Sequence, residues 1–263
     1  MTQSAPPPEV TSGPVLFARY AYPPNALGYC GPGDPAALLQ AASHDGPADH
    51  LAHLAVQFEG AWPYLELIAG VNSIRDPLDR RVVEAYWIGN ELALKVPARV
   101  LASSLDERFS YRVGPRSSHL VASALCGGVA QHSLHVFGVY PWLGMLRAGS
   151  EGVPLEVMNN CRIRWGRVEE VTGDLVRVTS QALEFRGSRL RLGPERLEVV
   201  RQSLDGMGMV DALIVGDVVS LHWDWVCDRL TPQSLSWLRF STQRNLSAVN
   251  SQSAPGPAIV CDA

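Results

Sequence analysis

Two periodicities divide the chain. From about residue 15 to 150 apolar side chains recur at helical spacing, and from about 155 the period shortens to two. Pro35-Ala-Ala-Leu-Leu-Gln-Ala-Ala predicts a helix, with Asp34 as N-cap and Pro35 at the first helical position. Asp49 to Phe58 predicts a second, apolar at 51, 54, 55 and 58. Asp76-Pro77 opens a third that reaches Ile88. Pro97–Leu105 and Ser117–Leu146 supply two more segments, the second of them long. Beyond 155, Cys161-Arg-Ile-Arg-Trp and Leu175-Val-Arg-Val-Thr alternate as strands do. Leu183 to Leu192 reads as two strands joined by a Gly187-Ser188 turn. Leu197–Arg201 and Val215–Trp225 add further strands, and a last helix starts at Thr231-Pro232 and runs to about Leu246.

About five short strands with frequent turn signals predict a small barrel. The expected fold class is therefore α+β: a mainly helical domain over 15–150, then a small β-barrel with a C-terminal helix over 155–247. The polar, Pro-rich segment 1–14 and the tail 248–263 are expected to be disordered.

Composition narrows the function classes. With 46% hydrophobic residues in 263, the chain can bury a sizeable core. The net charge of −4 and the lack of a basic run argue against nucleic-acid and anionic-membrane partners. No stretch approaches the roughly 18 apolar residues of a transmembrane helix, and the N-terminus lacks the pattern of a secretory signal. Cysteines 30, 126, 161, 227 and 261 are widely spaced, without a Cys-x-x-Cys pair. That argues against a disulfide framework or zinc ribbon, and for reduced thiols in a cytoplasmic protein.

The candidate chemistry lies mostly in the second half. Cys161 and His222 each sit at the end of a predicted strand, and a thiolate with an imidazole suits a low-valent iron, copper or zinc ion. Asp224 would share a strand face with His222 and orient its imidazole, and Cys227 would be a third ligand or a plain core thiol. His132 and His135, at i and i+3 of one helix, are further candidate ligands or else polar residues of a buried helix. The stretch Phe17–Asp34, dense in aromatics, Pro and Gly, reads as a binding loop exposing Cys30, or as an ordered strap packed on the helices. No Gly-x-Ser-x-Gly elbow, phosphate loop, His-Glu-x-x-His or dinucleotide fingerprint occurs, so no catalytic residues are assigned.

Over about 90 residues the second half resembles the HypC-type maturation chaperones of NiFe hydrogenases. Cys161, Gly166, Val168 and Gly173 reproduce the spacing of that family's opening. Gly216, Asp217, Val219 and His222 match its Gly-Asp-x-Val-x-x-His strand. This chain departs from the pattern in having an internal Cys, Trp165 where the family has Pro, and a longer span from Cys to His. The resemblance implies that Cys161 and His222 hold an iron unit, Fe(CN)2(CO), for hand-over to the hydrogenase large subunit. Gly127-Gly-Val-Ala-Gln131-His132-Ser-Leu-His135-Val-Phe137 resembles a helix of hydrogenase large subunits, which implies a degenerate, non-catalytic relative in the N-terminal half. The Phe17-Ala-Arg-Tyr-Ala-Tyr-Pro-Pro-Asn opening resembles an actinobacterial family associated with the same enzymes.

The expected function is that of a hydrogenase maturation protein carrying iron, with the large subunit or another maturation factor as partner. A metalloenzyme with an open Cys/His site and a metal-free assembly scaffold stand beside it. A carrier should keep Cys161 and His222 together near the surface. An enzyme should add a third ligand, a general base and a pocket, and a scaffold should bury the two residues apart.

Overall fold

The computed structural model describes residues 11–44, 48–113, 117–150 and 152–251. Eleven helices come first: α1 (Gly13–Ala26), α2 (Pro35–His44), α3 (Ala48–Ala55), α4 (Trp62–Val71), α5 (Arg80–Trp87), α6 (Glu91–Leu94), α7 (Ala98–Val113), α8 (Ser117–Leu125), α9 (His132–Gly138), α10 (Trp142–Arg147) and α11 (Val153–Cys161). Seven strands follow: β1 (Arg164–Thr172), β2 (Leu175–Arg186), β3 (Arg189–Arg201), β4 (Ser203–Leu204), β5 (Met207–Gly208), β6 (Val218–His222) and β7 (Trp225–Arg229). Helix α12 (Pro232–Asn250) ends the described chain. The α+β class is as the sequence predicts. No helix among the described residues is long and apolar enough to cross a membrane.

Five strands close a barrel in the order β1-β2-β3-β7-β6, and β6 pairs back onto β1 through Arg164↔Leu221 to Arg167↔Val218. Gly187 and Ser188 both adopt positive φ, 57° and 61°, the two-residue turn whose twist matches a hairpin, and β2 meets β3 across it. The expected break between the Leu183 and Leu175 segments is absent: β2 is one strand through both, bent by an irregularity between Gln181 and Leu183. Inside, Val168, Val176, Val178, Val200, Val219, Leu221 and Val226 form a small aliphatic core. Gly166 faces it so closely that a Cβ there would lie 3.1 Å from the Cβ of Val178.

The helical half is larger and aromatic. Helix α1 is buried nearly all round, with Phe17, Tyr20 and Tyr22 inside, so the Phe17–Asp34 stretch is a central helix followed by a short loop. The predicted long segment 117–146 is three helices, broken at Gly127-Gly128, where Gly127 takes φ 88°, and again at Pro141. One hydrophobic cluster runs from α1 and α5 into Ile163, Trp165, Trp225, Cys227 and Leu238, so the helical half and the barrel share a core. Residues 1–10 and 252–263 of the expected disordered ends lie outside the described residues. Gly13 and residues 248–250 are helical. Cys30, Cys161 and Cys227 are free thiols, whereas Cys126 is disulfide-bonded, against the expectation of reduced thiols throughout.

Candidate metal centre

Three segments distant in sequence meet where the barrel abuts the helices. Cys161 is the last residue of α11 rather than the first of a strand. Pro154 at the start of that helix is the signal that marks it in the sequence. His222 ends β6, and His132 begins α9. Their ligand atoms all lie within 4.8 Å of one another. The Cys161 sulfur stands 3.9 Å from His132 Nε2. A tetrahedral ion with bonds of about 2.0–2.3 Å would hold such atoms roughly 3.5 Å apart, so closing on an ion takes shifts of about 1 Å.

Each ligand is oriented from behind. His222 Nδ1 donates to the backbone carbonyl of Tyr20 at 2.6 Å. A carbonyl only accepts, so Nδ1 carries the proton and Nε2 keeps its lone pair. Nε2 has no hydrogen-bond partner and is buried, and the ring lines the cavity described below. The sequence of α1 supplies that carbonyl. Pro23 and Pro24 occupy positions three and four beyond Tyr20, and neither has the N–H that would close a helical bond to it. The Pro-Pro pair thus frees one acceptor inside a buried helix, and the barrel's histidine takes it.

His132 is held at both nitrogens, with Nδ1 3.1 Å from the Tyr86 hydroxyl and Nε2 2.9 Å from the Cys161 carbonyl. Because the carbonyl only accepts, Nε2–H donates to it and Tyr86 donates to Nδ1. Exchanging the tautomer makes Tyr86 the acceptor and releases Nε2 toward the Cys161 sulfur. Trp87 packs on both imidazoles, with centroids at 4.7 Å to His132 and 5.7 Å to His222. The loop into α9 is fixed by a buried amide network. Gln131 caps the helix by accepting from Ser133 N, and donates to the Trp87 carbonyl at 2.8 Å. Asn245 of α12 holds Val129 N and Ser133 Oγ.

Arg164 ties the Cys161 and His222 segments together. Its guanidinium, 2% exposed, donates to the carbonyls of Asn159 and Asn160 at the end of α11 and to the Trp223 carbonyl at 2.7 Å, and it pairs with Glu198. Trp223 N–H returns a bond to Asn160 O at 2.8 Å. Trp223 sits at φ 52°, a conformation unfavourable for a bulky residue, and these bonds together with stacking on Tyr29 at 4.4 Å hold it there.

The three ligands open on a cavity of ≈ 80 Å³ walled mainly by aromatic and aliphatic side chains, among them Tyr86, Trp87, Met158 and Trp223; Cys30 also lines it. Among the described residues no Asp, Glu, Lys or Arg lines it. Burial sets the protonation of the ligands. It lowers His132 to about 4 and, with His132 nearby, holds His222 well below the usual range. Burial also pushes the Cys161 thiol far up, and the nearby Cys30 adds to this. At neutral pH both imidazoles are neutral; His222 Nε2 has its lone pair free, His132 offers Nε2 in the exchanged tautomer, and the thiol must lose its proton to bind a metal.

The other expected site residues lie elsewhere. Asp224 is exposed on the β6–β7 turn and pairs with Arg201, so it does not back His222; the turn carries it off the strand face that spacing alone assigned. Cys227 is fully buried in the shared core, 3.8 Å from the Trp225 carbonyl, and is not among the clustered ligands. His135 is one turn beyond His132, with ring centroids 6.2 Å apart, and lines the cavity without joining the three-ligand cluster. Cys30 is half-buried rather than exposed, and burial raises its thiol to about 12. Tyr20, Tyr86, Trp87 and Arg164 carry no sequence signature of a site, because their roles come from backbone carbonyls and tertiary packing.

The chain belongs to DUF6390, a family of unknown function, whose model matches residues 9–255. No curated protein and no solved structure matches it.

Proposed function

We propose that this protein holds one thiophilic transition-metal ion at His132, Cys161 and His222, and that it does so as an accessory protein of NiFe-hydrogenase maturation, carrying an iron unit for the immature large subunit. The observation that carries the reading is the convergence of one thiol and two neutral imidazoles on a single cavity. The donor set suits iron, zinc or copper, and with no carboxylate lining the cavity it is ill suited to magnesium or calcium. Three protein ligands leave further coordination positions for small ligands that travel with the metal. The resemblance of the Cys161 and His222 segments to HypC-type chaperones supplies the hydrogenase context and the expectation of Fe(CN)2(CO).

A catalytic metal centre is the second reading, favoured by His132 as a third ligand and by the cavity beside it. Against it, the cavity offers no carboxylate general base. Metal analysis and infrared spectroscopy on protein purified without oxygen from its native host separate the two. The carrier reading expects iron with cyanide and carbonyl bands that vanish in Cys161→Ser. A metal without such bands would favour the catalytic reading, and no metal in a protein that also refuses added iron or zinc would reject both.

A further inference from the structure

A second, larger depression of ≈ 490 Å³ adjoins the cavity. The two share five lining residues, Tyr29, Cys30, Gly60, His135 and Tyr140. Tyr29 and Tyr140 are 54% and 37% exposed, so this common wall reaches the protein surface. Gln57 and Glu59, both exposed, line the depression only, which gives its mouth an amide and a carboxylate that the cavity lacks.

His135 stands in that wall and is 95% buried. It is packed edge-on against Tyr64 and Tyr140, at 5.7 and 5.2 Å, and its Nδ1 has no hydrogen-bond partner. A buried polar atom left unpaired is costly, so it calls for an explanation in what reaches it. Gly60 packs against the other side of this wall, where a Cβ would come 3.1 Å from His135 Nε2. His132, which belongs to the metal cluster, is one helical turn away.

We propose that the depression is the metal's entrance and that His135 is a transfer ligand between it and the three-ligand centre, an inference that rests on the metal-site reading above. A hydrated cation leaving the polar mouth for an aromatic-lined cavity would lose its water shell with nothing in return. A nitrogen lone pair at the threshold replaces one water before the ion moves inward. The exchange balances simply. A metal–water bond breaks as a metal–His135 nitrogen bond forms. That bond then breaks as the bond to the Cys161 sulfur forms, and the thiol proton leaves to solvent. His132 and His222 complete the set, and His135 ends unligated, ready for another ion.

The test uses the full chain and Co²⁺ alone, followed by stopped flow through its thiolate charge-transfer absorption. His135→Phe keeps the ring's packing and removes both nitrogens. Gly60→Ala places a Cβ 3.1 Å from His135 Nε2 and so crowds the transfer ligand, while leaving Cys161, His132 and His222 unchanged. Both variants are expected to reach the wild-type endpoint of one Co²⁺ per chain, loading roughly tenfold more slowly. Wild-type loading rates in both would overturn the transfer role while leaving the metal centre standing. A folded His135→Phe that reaches no endpoint would overturn it too, by making His135 a resident ligand. Absence of Co²⁺ binding by the wild-type protein would remove the metal reading and this inference together. If His135→Phe does not fold, the loading rate of Gly60→Ala decides alone.

Discussion

The barrel and the helical half are built on different physics. The barrel's interior is a short list of Val and Leu contributed by strands that pair mostly with their neighbours in sequence. The helical half packs rings against rings: Phe17 on Phe58, Tyr20 on Trp87, Tyr64 on Tyr86. Its buried helices also leave polar atoms inside, including the Tyr20 carbonyl, the Tyr86 hydroxyl and the Gln131 amide, and these orient the ligands. The barrel contributes one ligand and the Arg164 clamp, and the helices contribute the other two ligands, most of the backing and most of the cavity wall. The metal centre belongs to neither region, so perturbing either should be felt at the site.

The largest effect should come from a ligand itself. Cys161→Ser is expected to weaken Zn²⁺ or Co²⁺ binding by at least about a thousandfold with the fold retained, as competition with a chromophoric chelator would show. Binding that survives would move the site elsewhere. Next is the clamp between the regions. Arg164→Met leaves Glu198 and two helix-end carbonyls without their partner and should cost about 3 kcal/mol in urea unfolding. Because one core spans both regions, tryptophan fluorescence and far-UV circular dichroism should report one coincident transition. Two separated transitions would make the regions independent domains.

Removing a single backing group should act more gently. Tyr86→Phe deletes the hydroxyl at His132 Nδ1 and is expected to lower metal affinity roughly tenfold. Pro24→Ala restores an N–H that can compete for the Tyr20 carbonyl, and a several-fold loss of affinity should follow. An unchanged affinity in both variants would show that the centre does not depend on its helical backing.

The smallest effect is on pH dependence. Burial pushes the Glu198 carboxyl up, but Arg164 and the Ser180 hydroxyl outweigh it and hold the carboxyl below its ordinary value. A depressed folded-state value stabilises the protein above the ordinary carboxylate range, and the contribution is lost as pH falls through the folded value. Glu198→Gln should therefore lie closer to wild type at about pH 3 than at pH 7 in thermal melts. A difference independent of pH would deny the ion pair its role.

The same contrast explains what could be read in advance. The barrel was legible because period-two alternation and the Gly187-Ser188 turn act locally, and two of the three ligands, His222 on β6 and Cys161 at the end of the helix that leads into β1, carry recognisable spacing. His132 and His135 were legible only as candidates, since helical spacing cannot say which of them meets a cysteine 29 positions away. Asp224 was misplaced because strand parity was extended across a turn at Trp223. Helix α1 was hidden by its aromatic, Pro-containing composition, and the purpose of Pro23-Pro24 appears only when His222 arrives from the barrel 202 positions away.

The most direct test is X-ray absorption spectroscopy of the full chain loaded with one equivalent of Zn²⁺. The account predicts one sulfur at about 2.3 Å and two imidazole nitrogens at about 2.0–2.1 Å, with the sulfur lost in Cys161→Ser and one imidazole in His222→Ala. A first shell without sulfur, or one untouched by either substitution, would contradict it.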